Sequence, residues 1–391
     1  MRTEYLLADA DGHYYEPDDC FSRHLSSKER DFAVRVVRSS ADDVGAVMIG
    51  DDRLTVFPTH LSDATFTPGS ARGAVYGDER VSRPRSDVIR STDVPESVDR
   101  AARLKALDSW GIEVNVIYPT LALTVWPELV LRGPDALYAN LRSFNTWIEE
   151  EWGYGGDGRT FAAPMVVLVE PERAVAELER LLARGVRVLA LVPASPRMGV
   201  LPGDRRFDGF WARVNEAGVP VGVHGCVVAY GDTYSPARVF TQLNALTPMQ
   251  RLFEVDRQVM DTLGSLVLDD VFGRFPGVRA MSVELGSRWV EYLLGAMDRS
   301  ANQTGGWWRD GRTELPSDVF RRHVWVEPFE TDDLTRLAEL IGVDRILFGS
   351  DFPHPEGLEN PLQFLDAIAS FTPADQRLIL RDNLLNLLSP A

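Results

Sequence analysis

Short apolar runs alternate with amphipathic stretches along most of this chain. Strand-like runs occur near residue 4 and at Ile112 to Tyr118, Phe161 to Glu170, Val186 to Pro193 and Val219 to His224. Three more follow at Val278 to Glu284, His323 to Pro328 and Arg345 to Ser350. Between them lie helical stretches: Ser97 to Trp110, Pro134 to Trp152, Pro171 to Gly185, Phe207 to Ala217, Leu252 to Phe275, Arg288 to Ala301 and Asp332 to Ile341. In the second of these, Leu137, Leu141, Phe144 and Ile148 recur at helical spacing, and Pro171 opens the third at a first-turn position. Helices from Pro361 to Phe371 and from Ala374 to Leu388 close the chain. Eight strands, with helices in seven of the connections, predict an α/β fold, a (β/α)8 TIM barrel spanning residues 1–391 as one domain. Residues 372–391 read as a C-terminal helical extension.

One connection does not fit the repeat. Residues 17–95, between the first strand and its helix, are polar and rich in Asp, Ser, Arg and Pro, without a sustained apolar period. An insertion after a barrel strand emerges at the catalytic face, so the expectation is a lid folded against the barrel mouth or a second subunit. The bland alternative is a disordered surface loop. Residues 225–250 and 302–318 are shorter insertions on the same face.

Strand ends carry the candidate chemistry. The first strand ends in Asp11-Gly12-His13, and period-two spacing puts Asp11 and His13 on one face, about 7 Å apart along the backbone. The fifth ends in His224. The eighth runs into Gly349-Ser350-Asp351-Phe352-Pro353-His354-Pro355. A lone strand-end His is more often structural than a ligand. Two imidazoles and two carboxylates converging at matching strand ends form a mixed nitrogen and oxygen set suited to one divalent ion, Zn²⁺ or Mn²⁺.

Composition narrows the function classes. A net charge of −17 argues against nucleic acid and anionic membranes as partners. The apolar runs are far too short to span a bilayer, and the N-terminus shows no basic-then-apolar leader pattern, so a cytoplasmic protein is expected. Cys20 and Cys226 lie far apart without zinc-type spacing, and free thiols are favoured over one disulfide. The expected partner is a small-molecule substrate, with a homodimer as the expected assembly.

The sequence resembles the amidohydrolase superfamily, in the amidohydrolase-related branch with aminocarboxymuconate semialdehyde and resorcylate decarboxylases. Ala102 to Pro119 is similar to that family's second βα unit, Phe272 to Trp289 to its sixth, and Ile346 to Pro355 to its eighth-strand signature. The resemblance implies that Asp11, His13, His224 and Asp351 hold one metal ion, with Asp351 also transferring protons. Strand four ends without the Lys or Glu that two-metal members need, which favours a mononuclear site. Two positions depart from the pattern: Glu284 stands where many members have His, and Asp11 replaces the first His of a His-x-His pair. The first departure weighs against a decarboxylase, and the second makes the site more anionic.

Further candidates carry open alternatives. Glu284 and Arg288 stand as catalytic candidates, Arg288 as a partner for a substrate carboxylate or as half of a salt bridge to a neighbouring acid. His354 either touches substrate or makes a structural hydrogen bond. Glu16 either supports a ligand or pairs with an Arg of the insertion. Tyr118, Trp126, Trp307 and Trp308 are possible pocket walls, and Cys226 reads by default as a small buried residue. Two reactions fit: non-oxidative decarboxylation of an aromatic or unsaturated acid, ranked first, and hydrolysis by metal-activated water of a C–N, C–O or C–C acyl bond. A non-catalytic binding barrel ranks third.

Overall fold

A computed structural model describes residues 4–40, 44–54, 67–70, 93–226, 256–303, 308 and 313–389. The strands are β1 (Leu7–His13), β2 (Val34–Val37), β3 (Ala46–Ile49), β4 (Asp52–Arg53), β5 (Ile112–Tyr118), β6 (Thr160–Ala162), β7 (Met165–Val166), β8 (Leu189–Leu191), β9 (Val221–His224), β10 (Ala280–Val283) and β11 (Val324–Val326). Seven of the eight expected barrel strands are among them, the third split into β6 and β7 at Ala163–Pro164. All these pairings are parallel, in the orders β1-β5-β6 and β7-β8-β9-β10-β11.

The eighth strand is an extended segment rather than a regular ladder. Leu347 N–H donates to Val326 O at 2.9 Å, while Ala10 N–H donates to Phe348 O at 2.8 Å. Asp351 N–H donates to Asp11 O at 2.8 Å, and His13 N–H to Phe352 O at 2.7 Å. This segment therefore lies between β11 and β1, the order an eightfold α/β barrel requires. Such bonds put Asp351 beside the end of β1 even though the two are 340 positions apart in sequence.

Local chemistry explains where the main helices begin. Asp99 caps Arg100–Trp110 by accepting from Ala102 N–H at 2.7 Å, and Pro134 and Pro171 occupy first-turn positions of Pro134–Glu151 and Pro171–Ala183. Two helices were not expected: Ala122–Leu131, nearly all apolar and buried, and Pro316–His323, which begins at the end of the stretch 302–318 read as insertion. A helix buried on most sides lacks the amphipathic period that reveals a surface helix. None among the described residues is long and apolar enough to cross a membrane.

The first part of the insertion is packed against the barrel. Its described first part forms an antiparallel sheet, β2-β3-β4, docked on the helix Pro134–Glu151. Val34 N–H donates to Asn140 Oδ1 at 2.9 Å, and the Phe21 and Phe144 rings stack at 4.8 Å. Cys20, Phe21, Val34, Val47, Ile49 and Leu54 join the main core, so this part is not a polar lid. Among its described residues, Thr67 to Ser70 reach the catalytic end, where Gly69 N–H donates to His354 O at 3.2 Å. Residues 55–66 and 71–92 lie outside the described residues, as do 227–255. The C-terminal stretch is likewise part of the core: Leu384, Leu387 and Leu388 are buried, and Asn383 Nδ2 donates to the carbonyls of Val343 and Ile346 at 2.9 and 2.8 Å.

Inside the barrel the backbone is packed tightly beneath the ligand positions. A Cβ on Gly222 would stand 2.5 Å from Tyr118 Oη, a hydroxyl that is buried without a hydrogen-bond partner among the described residues. Gly222→Ala is therefore expected to cost about 1–3 kcal/mol by overpacking. Because Tyr118→Phe removes the nearest atom, the double variant should recover part of that loss in denaturant unfolding. Strict additivity of the two changes would refute the clash.

Candidate metal centre

Four strand ends converge on one point. His13 Nε2 lies 3.2 Å from His224 Nε2, 3.4 Å from Asp11 Oδ1 and 3.5 Å from Glu284 Oε2. His224 Nε2 is in turn 3.5 Å from both Asp11 Oδ1 and Glu284 Oε2. Asp351 Oδ1 is 3.5 Å from His13 Nε2 and 2.8 Å from His354 Nδ1, the latter pair not aligned as a hydrogen bond. Two groupings with metal-ligating spacing result: Asp11, His13, His224 and Glu284, and His13, Glu284, Asp351 and His354.

The imidazoles are fixed from behind. His13 Nδ1 sits 3.1 Å from Pro119 O, and His224 Nδ1 2.9 Å from Gly225 O. Each contact suits an Nδ1–H donor, which leaves the Nε2 lone pairs facing the centre. His354 stacks on His13 with ring centroids 3.7 Å apart, and its Nε2 is 2.9 Å from Thr120 Oγ1. That hydroxyl donates to Tyr14 O at 2.7 Å, so it accepts from His354.

Backbone strain marks the same place. Glu284 and Asp351 adopt φ of 53° and 52°, the left-handed region that non-glycine residues rarely occupy. Such outliers persist where the surroundings over-determine them, often at functional sites. The third, Asp270, merely precedes the short helix Val271–Arg274.

The electrostatics call for a cation. Burial opposes ionisation of Asp11, yet its interactions with His13 and His224 outweigh it and hold the carboxyl below the usual range. Burial also opposes charge on His13, but Asp11 and Glu284 push it up to about 10. Asp351 is raised well above the ordinary carboxyl value by burial and then by Glu284, Glu356, Asp11 and Glu327. Both Asp11 oxygens are buried without a hydrogen-bond partner among the described residues. Orphaned carboxylate oxygens, two inward Nε2 lone pairs and a surplus of acid fit a divalent ion well.

Several candidates have other duties. Arg288 is not brought into the cluster: its side chain is exposed and its Nε pairs with Asp332 Oδ1 at 3.2 Å. Glu16 contacts neither ligand nor insertion Arg; its carboxylate accepts from the N–H groups of Thr120, Leu121 and Ala122 at 3.0, 2.9 and 3.2 Å. Burial pushes Glu16 up to about 7, against the pull of those donors. Trp126 and Trp308 are buried, and Trp307 lies outside the described residues. Both cysteines are free and buried, with Cys226 Sγ donating to Leu123 O at 2.8 Å.

Sequence reasoning missed the supports. Glu327, at the end of strand seven, accepts from Glu284 N–H at 2.9 Å. Asp9 accepts from Ser350 Oγ–H at 2.7 Å and from Asp11 N–H at 3.1 Å, tying β1 to the eighth segment. Buried Arg103 donates to His13 O and, at 3.1 Å, to Asn115 Oδ1. The strand-end rule that found Glu284 also points to Glu327, and the period of two that links Asp11 to His13 reaches back to Asp9.

A family model described as amidohydrolase matches residues 9–388. The chain belongs to the amidohydrolase superfamily. The crystal structure of an amidohydrolase from Mycobacterium avium subsp. paratuberculosis K-10 is 34% identical, with a TM-score of 0.89 over 100% of this chain and 99% of that one. The 2,6-dihydroxybenzoate decarboxylase from Rhizobium is 19% identical, with a TM-score of 0.58 over 76% and 91%. A dihydroxybenzoic acid decarboxylase from Polaromonas sp. JS666, solved with manganese and the inhibitor 2-nitroresorcinol, is 18% identical, with a TM-score of 0.59 over 83% and 95%. At these identities the two decarboxylases share the fold, which for this superfamily is a TIM barrel. No curated protein matches the sequence.

This amidohydrolase is expected to purify with about one equivalent of divalent metal. His224→Ala should lose most of it, and chelation should lower Tm, since an ion at 1,000 times its Kd stabilises by about 4 kcal/mol. Metal-free protein whose Tm is indifferent to added Zn²⁺ and Mn²⁺ would argue against the centre.

Proposed function

We propose that this chain is a metal-dependent hydrolase of a neutral small molecule bearing an acyl bond, with Asp351 as its general base. The observation that carries the reading is the charge at the centre. Asp11, Glu284, Glu327, Asp351 and Glu356 crowd the two imidazoles, and among the described residues no Lys or Arg forms an ion pair with any of them. Carboxylates that are ionised there repel an anionic substrate, a repulsion that water and an uncharged carbonyl compound do not meet. This reverses the order of the two reactions expected from the sequence.

Asp11, His13 and His224 would hold the ion, with a fourth carboxylate to complete the set. When bound, it supplies Lewis acidity toward an acyl oxygen and lowers the pKa of water toward 7. Asp351 takes the proton of the attacking water and hands it to the leaving group. His354, fixed by its contact with Thr120 and its stacking on His13, packs against Asp351 with Nδ1 2.8 Å from Oδ1. Burial, then His13, lowers His354 well below the ordinary imidazole value, so it stays neutral and does not neutralise the base.

Decarboxylation remains the second reading, favoured by the upward shift of Asp351. A carboxyl held protonated can deliver its proton to the carbon that loses CO₂. The two reactions separate cleanly: hydrolysis in H₂¹⁸O labels the acid product, whereas decarboxylation releases CO₂ and takes one solvent hydrogen onto carbon. The reading extends to a homodimer acting on a small molecule, without nucleic acid or membrane.

Asp351→Asn keeps the volume but cannot shuttle a proton. Activity is expected to fall at least about 10²-fold while metal is retained. Near-normal turnover would hand the proton transfer to another group.

A further inference from the structure

We propose that a cleft at the end of the barrel opposite the metal centre binds a small monocarboxylate with an apolar body, the carboxylate resting on Arg187. This site is independent of the reaction proposed at the metal centre. Val219 borders the cleft just before β9, and His224 ends that same strand, so about 16 Å of extended chain separates the two places.

The cleft has a volume of about 490 Å³, which falls in the range of about 300–1,000 Å³ typical of small-molecule sites. Leu182, Val186, Val219 and Leu388 give it apolar walls. They come from the helix Pro171–Ala183 and the turn after it, from the approach to β9, and from the last helix, Asn383–Leu388. Such walls suit a hydrocarbon body and give a bare inorganic anion nothing to cover.

Charge decides the sign of the ligand. Glu216 lines the cleft and is paired with Arg213, which also donates to Glu179 Oε2 at 3.1 Å. Arg187 lines it too, half-buried, and has no acid within ion-pair distance among the described residues. It donates through Nη2 to Leu388 O at 2.8 Å, and its guanidinium lies 5.8 Å from the centre of the Phe161 ring. The negative end of the last helix accounts for that one bond and leaves the other guanidinium donors to be satisfied. Arg279 repeats the pattern. It donates to Gly218 O, which belongs to the cleft lining, and at 3.5 Å to Asn386 O, again with no acidic partner among the described residues. Burial holds it below the ordinary guanidinium value. Three guanidiniums thus stand beside two carboxylates, a local inversion of the chain's net charge of −17. A carboxylate on Arg187 takes up its remaining donors in a charge-assisted pair, while an apolar body covers the walls.

Octanoate is the probe, with octanamide as its neutral counterpart and acetate as a carboxylate without the body. Calorimetric titration of the metal-loaded chain is expected to give a Kd for octanoate below about 1 mM, with the other two at least about tenfold weaker. Arg187→Met should weaken octanoate at least about tenfold. His224→Ala, which empties the metal centre, should leave octanoate binding within about twofold, because the two places are far apart. Leu182→Trp fills the cleft without touching Arg187 and should abolish binding. It decides the matter if circular dichroism shows that Arg187→Met does not fold. Octanamide binding as tightly as octanoate overturns the assignment, and so does octanoate binding that is lost in His224→Ala or kept in Leu182→Trp. Wild type that binds no octanoate up to about 10 mM refutes the site outright.

Discussion

Two imidazole nitrogens facing each other at 3.2 Å inside a ring of carboxylates are the constraint around which the catalytic end is built. With both Nε2 lone pairs turned inward they repel each other, and so do the carboxylates beside them. A shared cation relieves both repulsions at once. The upward shift that Asp11 and Glu284 impose on His13 expresses the same demand for positive charge. The arrangement survives folding because its members are positioned by backbone and not by one another. The Nδ1 atoms face carbonyls, Arg103 holds the carbonyl of His13, and the ladder between β1 and residues 346–352 carries Asp351 to its place.

The legible part of this protein was the part written locally. Asp11 and His13 share a strand, and a period of two puts both on one face; His224 and Asp351 each follow an apolar run that ends at a barrel rim. Strand order, too, followed from counting runs. What could not be read was what depends on the third dimension. Glu284 was located correctly at the end of strand six, but its direction is set by a left-handed φ and by Glu327, two features with no signature in its own segment. Arg288 sits only four positions further on, where the start of a helix turns it outward to Asp332. The insertion misled for a different reason. Its strands are two to four residues long, too short to show alternation, and their apolar faces are completed by the helix Pro134–Glu151 rather than by their own neighbours.

Rigidity and charge divide the work of this site. The ligand side is closed: Asp11, His13 and His224 are buried, and the tight approach of Tyr118 to Gly222 leaves no slack beneath them. The oxygens of Asp11 and Asp351 and Glu356 Oε2 are alike buried without a hydrogen-bond partner among the described residues. A group that must gain and lose a proton within one cycle cannot be locked into donors that favour a single state. Asp9 shows the contrast. It is equally buried and only two residues from Asp11, yet it accepts three hydrogen bonds and is committed to holding β1 against Ser350. Of three carboxylates on two neighbouring segments, Asp9 thus serves as a tie, while Asp11 and Asp351 face the centre without hydrogen-bond partners among the described residues. The number of hydrogen bonds accepted separates Asp9 from the other two, and spacing in the sequence does not.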